Sequence, residues 1–152
     1  DAEVLFDAVC QTTGVDEKFE GVSGGYRAIQ LWDNNVPHYF LKLFGRPTRE
    51  TACECERNAE ASIAQVLHLT NSPEIQAKIA HAGGTVARLE ATISDNRELA
   101  REIYLTYYSR YPTDDELQVA EQHLTQASQG RRKAAEDLAW SMLNSLEFVF
   151  NH

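Results

Sequence analysis

The last third of the chain carries the pattern that most constrains its fold, a helical apolar spacing divided by helix start and stop signals. In the stretch "NRELAREIYLTYY", which Ser94 or Asp95 can cap, Leu99, Ile103 and Tyr107 recur every four residues on one helix face. Such a segment needs a partner over its apolar face, because an isolated helix of this length is marginal in water. The sequence therefore predicts packed amphipathic helices in this region.

Two more helices are predicted after Pro112, which disfavours helix at the residue before it. Thr113 and Glu116 have the spacing of a capping box, in which each side chain bonds the backbone N–H of the other residue. The penultimate helix then has a narrow apolar face, made of Leu117, Ala120, Leu124 and Ala127. The final helix has a broader one, made of Ala135, Leu138, Ala139, Met142, Leu143 and Leu146. We expect this final helix to pack against the helix that carries Leu99 and Tyr107.

The first half of the chain has shorter elements and more turn signals. We predict a helix over Glu3–Thr13, ended by Gly14, and a short helix that starts near Pro37 and ends at Gly45. Between them, the Gly-rich stretch "GVSGGYRAIQLWDNN" predicts turns and an extended segment or short strand over Ala28–Trp32.

The middle of the chain has an irregular segment followed by short helices. The apolar residues have no regular spacing over Arg46–Asn58. Helical spacing of apolar residues starts at Ala59, after Pro73 and around Val86–Leu89. The sequence thus predicts a mainly α fold: a single helical domain over residues 1–152, with a loop-rich insert and at most one or two short strands.

Charge and hydropathy exclude some classes of partner. The 152 residues include 14 basic and 23 acidic side chains, a formal net charge of -9, which disfavours nucleic acid and anionic membranes as main partners. No apolar run approaches the roughly 20 residues that span a bilayer, so we expect no transmembrane segment. The sequence does not indicate an oligomeric state.

The stretch "RETACECERN" holds two of the three cysteines and is the first candidate for chemistry. Cys53 and Cys55 share one face if the backbone is extended, so they are weak candidates for metal ligands. Structural zinc prefers C-x(2–4)-C spacing and four ligands, and the further ligands would be Cys10 and a histidine such as His38 or His68. A disulfide of Cys10 with Cys53 or Cys55 is the better expectation in an exported protein. Free, buried thiols that pack as small apolar groups are the third interpretation.

Alternating charge surrounds these cysteines. The arginines are Arg46, Arg49 and Arg57, and the glutamates that alternate with them are Glu50, Glu54 and Glu56. Such side chains can form a cleft for an anionic or sugar ligand, since Arg binds carboxylates in fork geometry. They can also pin a long loop through ion pairs and backbone hydrogen bonds, which is the interpretation we favour because such a loop must satisfy its own backbone groups.

Motifs of established catalytic families are not found in the sequence. It has no C-x-x-C-H haem motif, no H-E-x-x-H, no G-x-S-x-G and no nucleotide-binding fingerprint. We therefore expect no catalytic residue and no cofactor in this chain, which by itself is more typical of a non-enzyme.

Four stretches together resemble a family of unknown function: "YFLKLFGRPTRETACECERN", "SIAQVLHLTNSPEIQAKIA", "IYLTYYSRYPTDDEL" and "WSMLNSLEFVFNH". They are similar to the C-terminal part of a planctomycete domain that follows a planctomycete-type cytochrome c and its companion domain in large exported proteins. The resemblance covers nearly the whole chain, and its most specific motifs are F-G-R-P and C-E-C-E-R. It implies a C-terminal fragment of a larger exported protein at the periplasm, envelope or cell surface, with haem in upstream domains.

The resemblance implies no activity, so three functions remain open. The first is a non-catalytic interaction or scaffold domain that contacts other domains of the parent protein or envelope proteins. The second is a metal or redox accessory site at Cys53 and Cys55 that assists electron transfer. The third is part of an envelope enzyme that acts on polysaccharide. The loop residues common to all three are Arg46, Arg49, Cys53, Glu54, Cys55, Glu56 and Arg57.

Overall fold

The computed structural model describes residues 1–31, 36–46 and 71–151. These residues are mainly helical and contain no strand, which confirms the predicted fold class. The helices in chain order are α1 Ala2–Thr13, α2 Tyr39–Leu43, α3 Pro73–Ala80, α4 Thr85–Thr92, α5 Asn96–Tyr108, α6 Asp114–Thr125, α7 Arg131–Leu143 and α8 Leu146–Asn151. A short 3-10 helix, Ala28–Gln30, precedes α2. No helix in the described ranges combines the length and apolar character that crossing a membrane requires.

The chain divides into two compact units. The first unit comprises Asp1–Gln11 and Asp16–Ser72, and the second comprises Thr12–Val15 and Pro73–His152. Whether residues 1–152 behave as one domain therefore stays a prediction.

The core of the first unit forms around aromatic rings on α1 and α2. Phe6 of α1 is buried, and its ring centroid lies 5.0 Å from that of Phe40 and 6.2 Å from that of Phe19. The His38 ring lies 4.5 Å from Phe6 and 5.5 Å from Phe19. His38, a weak candidate for metal binding, is thus a member of this aromatic cluster.

The predicted extended segment at Ala28–Trp32 is wrong for the residues that the structure describes, because Ala28–Gln30 is a 3-10 turn. The cause is the buried carboxylate of Asp7 on α1. It accepts hydrogen bonds from the backbone N–H of Ala28 at 2.6 Å and of Ile29 at 3.1 Å. These bonds satisfy the first donors of the turn from a residue 21 positions away, so no local pattern could show them.

The short helix α2 starts later than predicted but ends where expected. It begins at Tyr39, two residues beyond Pro37. At its end, Gly45 has φ 90° and donates to the carbonyl of Lys42, while Arg46 N–H donates to the carbonyl of Leu41. This is the bonding of a Schellman motif, in which a glycine takes the left-handed position. The helix predicted from Ala59 lies outside the described residues.

The second unit is built around α5 and α7. Leu99, Ile103 and Tyr107 of α5 are fully buried, and α5 packs against α4, α6 and α7. The helix α7 also contacts α3, α4 and α6, and it buries Ala135 and Ala139 among them. The expected packing of the final helix against the helix of Leu99 and Tyr107 is confirmed.

The end of α1 fits closely against α4 within the second unit. Gly14 has φ 68°, and a Cβ atom there would lie 2.6 Å from Thr85 Oγ1, so both backbone angle and space require glycine. Lys78 of α3 donates to the carbonyl of Val15 at 3.2 Å. The predicted end of α1 at Gly14 is confirmed.

The helix start signals of the second unit are also confirmed. Asp95 accepts from the N–H of Glu98 at 2.9 Å and caps α5. Thr113 Oγ1 accepts from Glu116 N–H at 3.3 Å, and Glu116 Oε2 accepts from Thr113 N–H at 2.8 Å. The capping box therefore sets the start of α6.

The apolar stripe of the final helix is shorter than predicted. The helix α7 ends at Leu143, which is 2% exposed, and Leu146 is 75% exposed at the start of α8. A turn at Ser145 interrupts the helix, since its Oγ donates to the carbonyl of Met142 and accepts from the N–H of Phe148. The side chain that is buried after this turn is therefore that of Phe148. Leu138, also predicted to be buried, is only half-buried.

Candidate functional site

The cysteine motif lies outside the described residues. The predicted site residues in that position are Arg49, Cys53, Glu54, Cys55, Glu56 and Arg57. The disulfide of Cys10 with Cys53 or Cys55, a metal at these thiols and a functional role of the loop therefore stay predictions.

Arg46 and Cys10 are the predicted site residues that the structure describes. The Arg46 guanidinium is buried, with Nε 3.5 Å from Glu3 Oε1, and Nη2 donates to the carbonyl of Leu31 at 3.3 Å. Cys10 is half-buried and lines a cavity of about 350 Å³ with Asp7 and Tyr26. Across the described ranges, no three His, Cys, Asp or Glu side chains are placed to hold a metal ion.

A cluster of charged and aromatic side chains in the second unit is centred on Arg110, between α5 and α6; we call it the Arg110 cluster (Arg110, Glu116, Glu147, Tyr104, Tyr108). Arg110 donates to both oxygens of Glu116 at 2.8 Å. It also donates to both oxygens of Glu147 of α8, at 2.6 and 2.9 Å. Its guanidinium carbon lies 5.6 and 5.3 Å from the ring centroids of Tyr104 and Tyr108. Bidentate and cation–π contacts thus join α5, α6 and α8 at one corner.

The protonation equilibria of this cluster follow from its contacts. Hydrogen bonds from Arg110 hold the pKa of Glu116 at about 2, below its ordinary value of 4.5, and also lower the pKa of Glu147. Burial raises the pKa of the Tyr104 and Tyr108 hydroxyls. The carboxylates are therefore charged and engaged with Arg110 at neutral pH.

Two further arginines donate hydrogen bonds to backbone carbonyls at the ends of helices. Arg131, at the start of α7, donates to the carbonyls of Glu90 and Ile93 and to Asn96 Oδ1, at 2.5 to 2.9 Å. Arg132 donates to Glu136 at 2.7 Å and reaches the carbonyl of His81 at 3.3 Å. These side chains satisfy carbonyls at the ends of α3 and α4, so their function is structural.

Next to the Arg110 cluster lies an open groove between α6 and α7, which we call the α6–α7 groove. Its volume is about 500 Å³, and its lining residues are Tyr104, Asp115, Glu116, Val119, Ala120, His123, Asp137, Leu138 and Ser141. Val119 is 68% exposed in the groove, although Leu117 and Leu124 of the same helix are buried. The spacing of Asp115, Val119 and His123 places one residue per turn along α6, so the groove runs about 12 Å along that helix.

Most polar groups of the α6–α7 groove are bonded within the protein. His123 Nε2 lies 3.1 Å from the carbonyl of Ala134, and Ser141 Oγ donates to the carbonyl of Leu138 at 2.7 Å. Asp137 forms an exposed pair with Lys133 at 3.0 Å. The Asp115 side chain makes no hydrogen bond or ion pair within the ranges that the structure describes. The groove therefore offers apolar contact and one unengaged carboxylate.

A second groove lies on the other side of α7, against α3. Its volume is about 580 Å³, and its lining residues are Pro73, Gln76, Ala77, Ile79, Ala80, Lys133, Glu136, Asp137 and Trp140. Trp140 is half-buried there, while Glu136 accepts from Arg132. The two grooves thus lie on either side of the outer face of α7.

Sequence reasoning did not find the α6–α7 groove. One signal was present: Val119 is an apolar residue between polar neighbours, off the face of Leu117, Ala120 and Leu124. A single exposed apolar residue is common in proteins and indicates nothing alone. Only the position of α7 shows that Val119 lies in a groove.

The chain belongs to the family described as PSD1, protein of unknown function (DUF1553), whose model matches residues 3–124. The match runs from α1 to the end of the buried face of α6. Neither the curated proteins nor the solved structures gave a match.

Proposed function

We propose that the chain is a non-catalytic interaction domain of a larger exported protein, and that it docks other domains of that protein or envelope proteins through the α6–α7 groove. The exported, cytochrome-associated setting is supported by the family resemblance of the four quoted stretches. The observation that carries the docking function is the groove itself, which is concave, mostly apolar and open.

The chemistry of the surrounding side chains favours packing over reaction. The Arg110 cluster uses its carboxylates to join helices, and Arg131 uses its donors on helix-end carbonyls. Val119 is 68% exposed and lies in a groove. An exposed apolar side chain in a concave surface is typical of an interaction site. The rigid helices on both sides would present this surface to a partner without reorganisation.

Site-specific photo-crosslinking tests this function. A photoreactive residue replaces Val119 in the full-length protein within its own cells, and a matched variant carries it at Tyr111, which is also 68% exposed but outside the groove. We expect a discrete crosslink at position 119 to another domain of the protein or to an envelope protein, and none of that product at position 111. Equal or absent crosslinking at both positions would contradict docking through the groove.

A further inference from the structure

We infer, on the basis of the proposed function, that the occupant of the α6–α7 groove is a basic amphipathic helix, with apolar residues at i, i+3 or i+4, and i+7 and with lysine or arginine at the end near Asp115. Three features of the groove carry this inference: the composition of its walls, its length and its charge.

The walls favour a helix over an extended segment. Both α6 and α7 satisfy their backbone groups within themselves, so along their length they offer no free N–H or C=O to an added strand. His123 and Ser141, which line the groove, are bonded to carbonyls of α7. An extended occupant would therefore gain no backbone hydrogen bonds from these walls, whereas a helix brings its internal backbone groups already paired.

The length of the groove sets the spacing of the anchors. Asp115 and His123 are eight residues apart on α6, about two helical turns. A helix that packs along this wall presents about three apolar side chains, which would meet Val119, Ala120 and Leu138. The groove is therefore suited to a short amphipathic helix and not to a single side chain.

The charge at one end of the groove selects a basic occupant. Asp115 is unengaged in the described part of the chain, and Glu116 and Glu147 together carry two negative charges against the one positive charge of Arg110. This end therefore carries excess negative charge next to the apolar floor, with Asp114 adjacent to it, and the positive N-terminal end of α6 offsets only part of that charge. A second copy of the chain is a poor occupant, because its net charge is also -9.

Binding of synthetic peptides to the full chain tests the nature of the occupant. The first probe is a peptide of about 14 residues with leucine at i, i+4 and i+7 and lysines at one end of the helix. The second has glutamate in place of each lysine, and the third has serine in place of each leucine. We expect the lysine peptide to bind at least about tenfold more tightly than either control, to gain helical circular dichroism and to weaken as salt rises.

Two neighbouring carboxylates provide a matched pair of variants. Asp114→Asn and Asp115→Asn remove the same charge from the same helix turn, but only Asp115 lines the groove. We expect Asp115→Asn to weaken the lysine peptide about two- to fivefold and Asp114→Asn to change its affinity less than twofold. Val119→Ser should weaken it about tenfold through lost apolar contact.

The outcomes separate this inference from the proposed function. A crosslink at position 119 together with equal binding of the lysine and glutamate peptides would keep docking and overturn the basic occupant. Binding of the lysine peptide in an extended form would overturn the helix. Dimerisation of the chain that Val119→Ser abolishes would assign the groove to a second copy and overturn the inference. Absence of any crosslink would overturn the proposed function itself.

Discussion

Asp115 and Glu116 are adjacent on α6 and both line the α6–α7 groove, but only Glu116 also belongs to the Arg110 cluster, and the two carboxylates differ in what they contact. Glu116 is in the Arg110 cluster, where it accepts two hydrogen bonds from Arg110 and one from the N–H of Thr113. The Asp115 side chain lines the α6–α7 groove without a hydrogen bond or ion pair in the described residues. The first carboxylate contributes to the fold, whereas the second is exposed to solvent.

The same division applies to apolar residues of the two regions. Tyr107, which precedes Tyr108 of the Arg110 cluster on α5, is fully buried, whereas Val119 in the groove is 68% exposed. Changes in the Arg110 cluster and its supporting core should therefore alter the free energy of unfolding. Changes to an exposed side chain of the groove, such as Val119, should alter binding alone, and this contrast can be measured.

The largest expected effect is in the core that supports both regions. Leu143→Ala removes a side chain that is 2% exposed, and we expect it to lower the free energy of unfolding by about 2–5 kcal/mol because it leaves a cavity. Leu146→Ala is the matched control, since Leu146 is 75% exposed, and it should change stability by less than about 0.5 kcal/mol. Chemical denaturation measures both values. A Leu143→Ala protein with unchanged stability would contradict the role assigned to α7.

Removal of the Arg110 guanidinium should have the next largest effect. Arg110→Met keeps an unbranched side chain of similar length, but it removes the guanidinium from Tyr104 and Tyr108 and leaves Glu116 and Glu147 without their shared donor. We expect a loss of about 1–3 kcal/mol, as for hydrogen bonds to charged groups that are only about a third exposed.

The control for this prediction is an arginine of α5 with an ordinary surface ion pair. Arg97 contacts Glu121 at 3.0 Å, with both side chains about 40% exposed. Arg97→Met should cost no more than about 1 kcal/mol. Equal losses in the two variants would show that the Arg110 cluster adds nothing beyond an ordinary surface ion pair.

Acid should weaken the Arg110 cluster in a defined pH range. The pKa of Glu116 is about 2 in the folded protein, below its ordinary 4.5, so its ionisation stabilises the folded state above pH 4.5. This contribution is lost as pH falls from 4.5 towards 2, and it amounts to about 1–2 kcal/mol after allowance for solvent screening. Denaturation at several pH values should show a weaker acid dependence in Glu116→Gln. A direct carboxyl titration that gave Glu116 a pKa near 4.5 would refute the prediction.

The capping box should have a smaller effect at the same helix turn. Thr113→Ala removes the acceptor for Glu116 N–H, and we expect a loss of about 0.5–2 kcal/mol. Thr113→Ser retains a hydroxyl and should recover most of the loss. Since Glu116 also contacts Arg110, the losses from Thr113→Ala and Arg110→Met need not add, and a double-mutant cycle would measure their coupling.

The sequence predicted the ends of helices correctly where the residues that determine them are close together in the chain. The starts of α5 and α6 depend on Asp95 and Thr113, whose partners are three residues away, and the end of α1 depends on Gly14. Such features can be read from the sequence because the residues that interact are close together in the chain.

The features that escaped prediction depend on residues far apart in the chain. The 3-10 turn at Ala28–Gln30 is held by Asp7, and the partners of Arg110 include Glu147, 37 positions later. The α6–α7 groove likewise exists because α7 lies beside Val119. The interruption of the helix at Ser145 is different, since the contacts of Ser145 are with residues close to it in the chain. The spacing of apolar residues alone does not show where a helix is interrupted.

The smallest expected effect on stability is in the groove. Val119→Ala removes two methyl groups from a side chain that is 68% exposed, so the free energy of unfolding should change by less than about 0.5 kcal/mol. The same variant should lose part of its affinity for the lysine peptide, because the lost contact exists only in the complex. Ala120→Ser is the contrasting variant: Ala120 also lines the groove, but it is 2% exposed and should affect both quantities. If Val119→Ala destabilised the chain by 1 kcal/mol or more, Val119 would have to be counted with the core, and the distinction between the Arg110 cluster and the groove would fail.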